Sequence, residues 1–95
     1  MSLSHPFSSP LDLLKACLSH PVLVKLRNRD IMEGTLHAYD QHFNVVLSNV
    51  TYTTTLKTLS SDDLDTAEIQ LSKQSTNHEL LFVRGDNVLL VSPVH

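Results

Sequence analysis

The sequence predicts a mainly β protein: an N-terminal helix followed by a strongly bent five-stranded antiparallel sheet, the arrangement of a small open barrel. Three observations carry that expectation. Leu11, Leu14 and Leu18 recur at helical spacing and are followed by Pro21. From Val22 onward the apolar period changes to two, in short runs separated by turn residues. Only two glycines occur, Gly34 and Gly85, so each is expected to serve geometry: a bend, a positive φ or a close backbone approach.

Taken in order, residues 1–9 are polar, carry a proline and read as a flexible arm. Residues 10–18 read as the helix. Ser9 can cap it, Pro10 suits the first helical position, and Asp12 favours the positive end of the dipole. Val22, Val24 and Leu26 alternate with Leu23, Lys25 and Arg27 as a half-buried strand, and Asn28-Arg29-Asp30 supplies the turn. Residues 31–39 form a strand long enough to need bending, with Gly34 as the place for it. Residues 43–50 form the third strand, in which Asn44 is a polar intruder that requires a partner.

Residues 53–78 read as a variable, hairpin-like loop with an acidic tip near Ser60 to Asp65. Within it, Tyr52-Thr53-Thr54-Thr55-Leu56-Lys57 has strand propensity, and Ile69 and Leu71 suit the start of the fourth strand. Two short apolar strands, residues 80–83 and 88–91, are linked through Arg84-Gly85-Asp86-Asn87. Their edges, Leu80-Leu81-Phe82-Val83 and Val88-Leu89-Leu90-Val91, invite pairing with another chain.

Composition narrows the function. A chain of 95 residues, 41% hydrophobic, is one globular domain with a single core. No apolar run approaches the ~20 residues of a membrane span, and the N-terminus lacks a basic-then-apolar leader, so no membrane partner is expected. The lone Cys17 excludes an intrachain disulfide and fits a reducing compartment. Asn49-Val50-Thr51 matches a glycosylation acceptor, accidental in a chain that is not secreted. The net charge of -3 argues against a generic nucleic-acid coat. A nucleic-acid ligand must therefore be recognised locally, through its bases, and oligomerisation would multiply a modest site.

The residues around the glycines suit a flat heterocycle and point to single-stranded RNA: a His-x-Asn at His42 and Asn44, and an Arg-Gly-Asp at Arg84, Gly85 and Asp86. Residues 22–50, with Gly34, Asp40 and Asn44 between apolar flanks, resemble the first motif of the Sm/Lsm family. Residues 80–93, with Arg84-Gly85-Asp86, resemble the second. The strings Leu36-His37-Ala38-Tyr39-Asp40-Gln41-His42-Phe43-Asn44 and Leu81-Phe82-Val83-Arg84-Gly85-Asp86 look most like the third eukaryotic branch of that family.

The resemblance implies an Sm fold over residues 10–95 and a ring of seven such folds whose pore binds uridine-rich RNA. In it, the fourth strand of one subunit pairs with the fifth of the next. It further implies partners: the 3′ end of U6 RNA in the nucleus, and oligoadenylated or deadenylated 3′ ends of messenger RNA undergoing decapping and decay in the cytoplasm. Ring neighbours would resemble the second and sixth Lsm members, and a homo-ring could form in isolation. No cofactor or metal is implied. The composition of residues 53–78 departs from the family pattern, which leaves any loop-specific partner open.

Base recognition needs stacking on flat faces and hydrogen bonds along an edge. His42 offers an aromatic face and Arg84 a planar guanidinium for the opposite one. Asn44 offers an amide to the uracil edge, Gly85 a close-lying main-chain N–H, and Asp40 and Asp86 acceptors that fix their neighbours. His42, Asn44 and Arg84 match the family's base-binding positions, with Gly85, Asp86, Asp40 and Gly34 supporting. Blander readings stand beside these. Asp40 and His42 would simply make a turn, Arg84 would pair with Asp86 or Glu79, and His37 would be surface or interface.

Catalysis finds little basis. No nucleophile elbow or phosphate-cradling glycine loop occurs, and Asp40-Gln41-His42 offers two metal ligands without a recognisable third. Two further rivals are a ring subunit that supplies only shape, and an adaptor acting through the acidic loop.

Overall fold

A computed structural model of the chain describes residues 9–60 and 68–94. The arm over residues 1–8 and the acidic tip at residues 61–65 lie outside them. The element order is a helix α1 (Pro10–Cys17) followed by strands β1 (Pro21–Leu26), β2 (Ile31–Tyr39), β3 (Val45–Ser60), β4 (Glu68–Val83) and β5 (Val88–Pro93). All strand pairs are antiparallel, in the order β4-β3-β2-β1-β5, so β4 and β5 are the two open edges of one bent sheet.

The helix starts as its sequence dictates. Ser9 adopts an extended conformation and its Oγ accepts from the Asp12 N–H at 3.3 Å, with Pro10 opening the first turn. It ends one residue earlier than expected. Leu18 forms an isolated bridge to Leu36, and Ser19 turns through φ 67 so that its N–H reaches the Leu36 carbonyl at 2.8 Å. The early exit changes the buried face: Leu14 and Cys17 enter the core, Leu11 and Leu13 pack partly against it, and Leu18 is exposed. Burial pushes the Cys17 thiol above its usual range.

The core is filled from inside the bend. β1 contributes Val22, Val24 and Leu26, β2 contributes Met32 and Leu36, β3 contributes Val45, Leu47 and Val50, and β4 contributes Val83. The alternation expected for β1 is the one observed.

Two bulges of opposite sense bend β2 against β3. Glu33 pairs with Thr51 but Thr35 pairs with Ser48, so Gly34 alone faces Asn49 and Val50. Leu36 pairs with Leu47 but Ala38 with Val46, leaving His37 as the extra residue on β2. Gly34 does mark the bend, but by proximity. A Cβ there would lie 2.9 Å from the Ser48 carbonyl oxygen, while the positive φ falls on Asn49 across the ladder. Neither glycine has a positive φ.

The segment read as a loop over residues 53–78 is largely strand. β3 and β4 pair without a register shift from Val45↔Val83 to Ser60↔Glu68. The polarity that suggested a loop reflects strands leaving the core, where Thr55, Leu56, Lys57 and residues 71–79 are exposed. Cross-strand hydroxyl and amide contacts take over there, Thr53 Oγ1 with Ser75 Oγ at 3.0 Å and Thr51 Oγ1 to Asn77 Oδ1 at 3.2 Å.

The base of this hairpin is tied to the β1–β2 turn. Arg29 takes φ 75 and Asn28 Oδ1 accepts from the Asp30 N–H at 2.9 Å. The Asp30 carboxylate then accepts from the Tyr52 hydroxyl and from Thr54 Oγ1, the latter at 2.6 Å. Thr54 and then Tyr52 hold the Asp30 carboxyl below its ordinary range, and burial, followed by the bond to Asp30, raises the Tyr52 phenol.

Because the folded Asp30 value is depressed, its contribution is complete above the unfolded aspartate range near ~4 and disappears as pH falls through the folded value. Asp30→Ala is expected to lower stability by about 1–2 kcal/mol at neutral pH, roughly 5–15 °C in Tm. In thermal melts from pH 7 to pH 3 the gap between the two proteins should close on acidification.

Candidate functional site

The turn between β2 and β3 is built around one carboxylate. Asp40 Oδ1 accepts from the backbone N–H of His42 at 2.8 Å and of Asn44 at 3.1 Å. Its Oδ2 accepts from Asn44 Nδ2 at 2.9 Å. Backbone bonds Phe43 N–H to Asp40 O and Asp40 N–H to Asn44 O, both 3.1 Å, close the turn. The Asn44 amide and then the two backbone N–H groups hold the Asp40 carboxyl below its ordinary range. This clamp is complete when Asp40 is charged and is released as pH falls through that depressed value.

Asn44 is not inside a strand, as its sequence context implied; β3 begins at Val45. It is the last turn residue, and the partner a half-buried amide requires is supplied on both sides. Asp40 takes its Nδ2, and its Oδ1 accepts from the Gly85 N–H at 2.7 Å. The chain Asp40–Asn44–Gly85 joins the two motifs, 41 residues apart at its second link. Phe43 accommodates the turn at φ 64, a strained backbone for an aromatic residue, and packs its ring against the core.

Gly85 opens a 3-10 turn, Gly85–Asn87, that leads into β5. A side chain there is excluded: its Cβ would overlap the His42 carbonyl oxygen and lie 3.0 Å from the carbonyl carbons of His42 and Phe43. The expectation that its N–H would face a ligand is corrected, because Asn44 already takes that hydrogen. The far side of the turn is held by Arg27, whose Nε donates to the Asp86 carbonyl at 2.7 Å.

A cleft of about 300 Å³ results, lined by His42, Asn44, Phe82, Arg84 and Asp86. A smaller one of about 200 Å³, lined in part by Tyr39 and Asp40, shares the Asn44 and Phe82 wall. His42, Asn44, Arg84 and Asp86 are thus brought together, Asp40 and Gly85 stand behind as supports, and Gly34 lines neither cleft. Arg84 and Asp86 pair at 3.6 Å with side chains 72% and 85% exposed, so both groups remain available to a ligand.

Two participants escaped the sequence reading. Phe82, assigned only to an edge, also lines the cleft, at the end of β4 two residues before Arg84. Arg27 acts 59 residues away in sequence, and no local pattern marks it. Of the other edge residues, Leu80, Leu89 and Leu90 are exposed, Leu81, Val88 and Val91 pack partly on the core, and Val83 is buried in it. Among the described residues, no three His, Cys, Asp or Glu side chains gather as a metal site.

A helix leading into a bent five-stranded sheet with two open edges, carrying His, Asn and Arg in one cleft, defines an Sm-like protein. The LSM domain family matches residues 12–93, and the chain belongs to that family. Several of its relatives bear the name LSM3. It is 46% identical to the Sm-like protein LSM3B of Arabidopsis thaliana over 88% of this chain and 83% of that one. It is 43% identical to the probable U6 snRNA-associated Sm-like protein LSm3 of Dictyostelium discoideum over 88% and 84%. Among solved structures, the Pyrococcus abyssii Sm protein in complex with a uridine heptamer matches with TM-score 0.66 and 29% identity, covering 92% of this chain and all 100% of that one. The SmAP1 heptamer of P. aerophilum matches with TM-score 0.67 and 27% identity over 94% and 97%. Family and fold are those expected from the sequence.

Gly85→Ala is expected to destabilise the protein by more than about 2 kcal/mol, because backbone rather than a movable side chain occupies the space. Thermal melts would register this as a drop of roughly 10 °C or more.

Proposed function

We propose that the chain is a non-catalytic subunit of an Lsm ring that binds uridine-rich single-stranded RNA, with one base held in the cleft of His42, Asn44 and Arg84. The observation that carries this reading is the locked Asn44 amide. Asp40 requires the NH2 on its side and the Gly85 N–H requires the oxygen on the other, so the amide cannot flip. One N–H and one lone pair remain. Uracil offers a carbonyl acceptor beside a ring N–H donor and matches both; cytosine carries the two functions in exchanged positions, so a base held in one orientation between His42 and Arg84 is matched as uracil. His42 and Arg84 line the same cleft and supply the two flat surfaces a base stacks on.

The open edges support ring assembly. β4 exposes Leu80 and Phe82, β5 exposes Leu89 and Leu90, and unpaired apolar edges of one sheet suit head-to-tail closure. The heptameric and uridine-bound relatives favour the same reading. From the U6-associated name of the Dictyostelium relative we take U6 RNA as one target, with splicing as the nuclear role. Decapping and decay of messenger RNA in the cytoplasm, and neighbours resembling the second and sixth Lsm members, complete the proposal.

The test is Asn44→Ala in the assembled ring. Affinity for oligouridine should fall about 5- to 100-fold and the preference over oligocytidine should vanish, while native mass stays that of the wild-type ring. Unchanged affinity and preference would mean that this subunit gives only shape to the ring.

A further inference from the structure

Two fixed charges line the cleft, and they cancel. Arg84 and Asp86 both border it, 3.6 Å apart and largely in solvent. An ion pair so exposed adds little to stability, so its effect falls on what the cleft admits. Its placement is not casual. Asp86 is the middle residue of the Gly85–Asn87 turn, and the backbone is pinned on both sides. Arg27 Nε donates to the Asp86 carbonyl at 2.7 Å, the Arg27 backbone N–H to the Asn87 carbonyl at 2.9 Å, and the Asn87 N–H to the Arg84 carbonyl at 3.0 Å. The backbone that carries Asp86 is therefore fixed at the cleft, and its carboxylate pairs with the Arg84 guanidinium at 3.6 Å.

We propose that Asp86 is a charge filter that makes the cleft select a base over a phosphate, a specificity role that rests on the RNA-binding reading above. A nucleobase is neutral and meets no net charge repulsion at a site where Arg84 and Asp86 are paired. A phosphate meets the carboxylate. Without Asp86, Arg84 would be an unpaired cation, and the sugar–phosphate backbone of any sequence would compete for it. Phosphate contacts give affinity without sequence information, so excluding them keeps recognition on the base edge that Asn44 reads.

The experiment compares wild-type, Asp86→Asn and Asp86→Glu rings of verified native mass. Each is titrated with oligouridine and with an abasic oligomer of equal length across a salt series. Asp86→Asn is expected to bind the abasic oligomer about three- to tenfold more tightly at low salt. The slope of log K against log salt should steepen by about 0.7 for each engaged subunit, and the ratio of oligouridine to abasic affinity should shrink. Asp86→Glu, which restores the charge, should return both toward wild type. Asp86→Asn with unchanged abasic affinity and slope overturns the filter while leaving uridine binding intact. Equal loss of both ligands in Asp86→Asn and Asp86→Glu overturns it in favour of a purely structural role. A wild-type ring that fails to bind oligouridine overturns the RNA reading itself, and the filter with it.

Discussion

One side-chain amide joins what the chain keeps apart. Asn44 receives its orientation from Asp40 on the β2–β3 turn and fixes the Gly85 N–H at the start of the β4–β5 turn. If it were removed, the two turns would still pack, because Gly85 lies against the backbone of His42 and Phe43. They would do so with an unsatisfied N–H, and with an Asp40 carboxylate missing one of its three donors. The same bonds leave the amide half-free in a fixed direction. Stability of the turn pair and chemical polarity of the cleft are consequences of one set of hydrogen bonds.

The sheet provides the frame that makes this meeting possible. Bulges of opposite sense at Gly34/Asn49 and at His37 bend β2 against β3 around the core. The bend carries the far ends of β2 and β4 to the same place, so that residues 40–44 and 82–86 share a wall. The helix closes the barrel through Leu14 and Cys17 and leaves the β4 and β5 edges uncovered. The arrangement is economical in glycine because Asn49, Phe43, Arg29 and Ser19 take the left-handed backbone positions.

Much of this was legible in the chain, for reasons that differ by residue. The helix cap at Ser9, the alternation of β1 and the span of β2 follow from local physics, and local physics is what a sequence displays. His42, Asn44, Arg84 and Asp86 were legible as chemistry, and the cleft unites them. What escaped depends on partners distant in sequence or on the end of the core. The hairpin beyond Thr53 looked like a loop because its strands have no apolar face to show. Asn44 looked like a strand residue because the turn that holds it is made by Asp40, four positions earlier. The use of the Gly85 N–H and the contribution of Arg27 required the fold itself.

The β3–β4 ladder has a mechanical consequence. Each strand holds 16 residues, about 50 Å of extended chain, in a molecule 55 Å along its longest axis. Neither strand contains glycine or proline, and the register between them never slips. Beyond Asn49, where β3 takes φ 52 opposite the β2 bulge, the paired strands run on without a register shift. The inner end of the ladder is the Phe82–Val83 segment that runs directly into Arg84. The paired strands therefore connect the hairpin to the cleft wall through continuous backbone, with Phe82 at the cleft end.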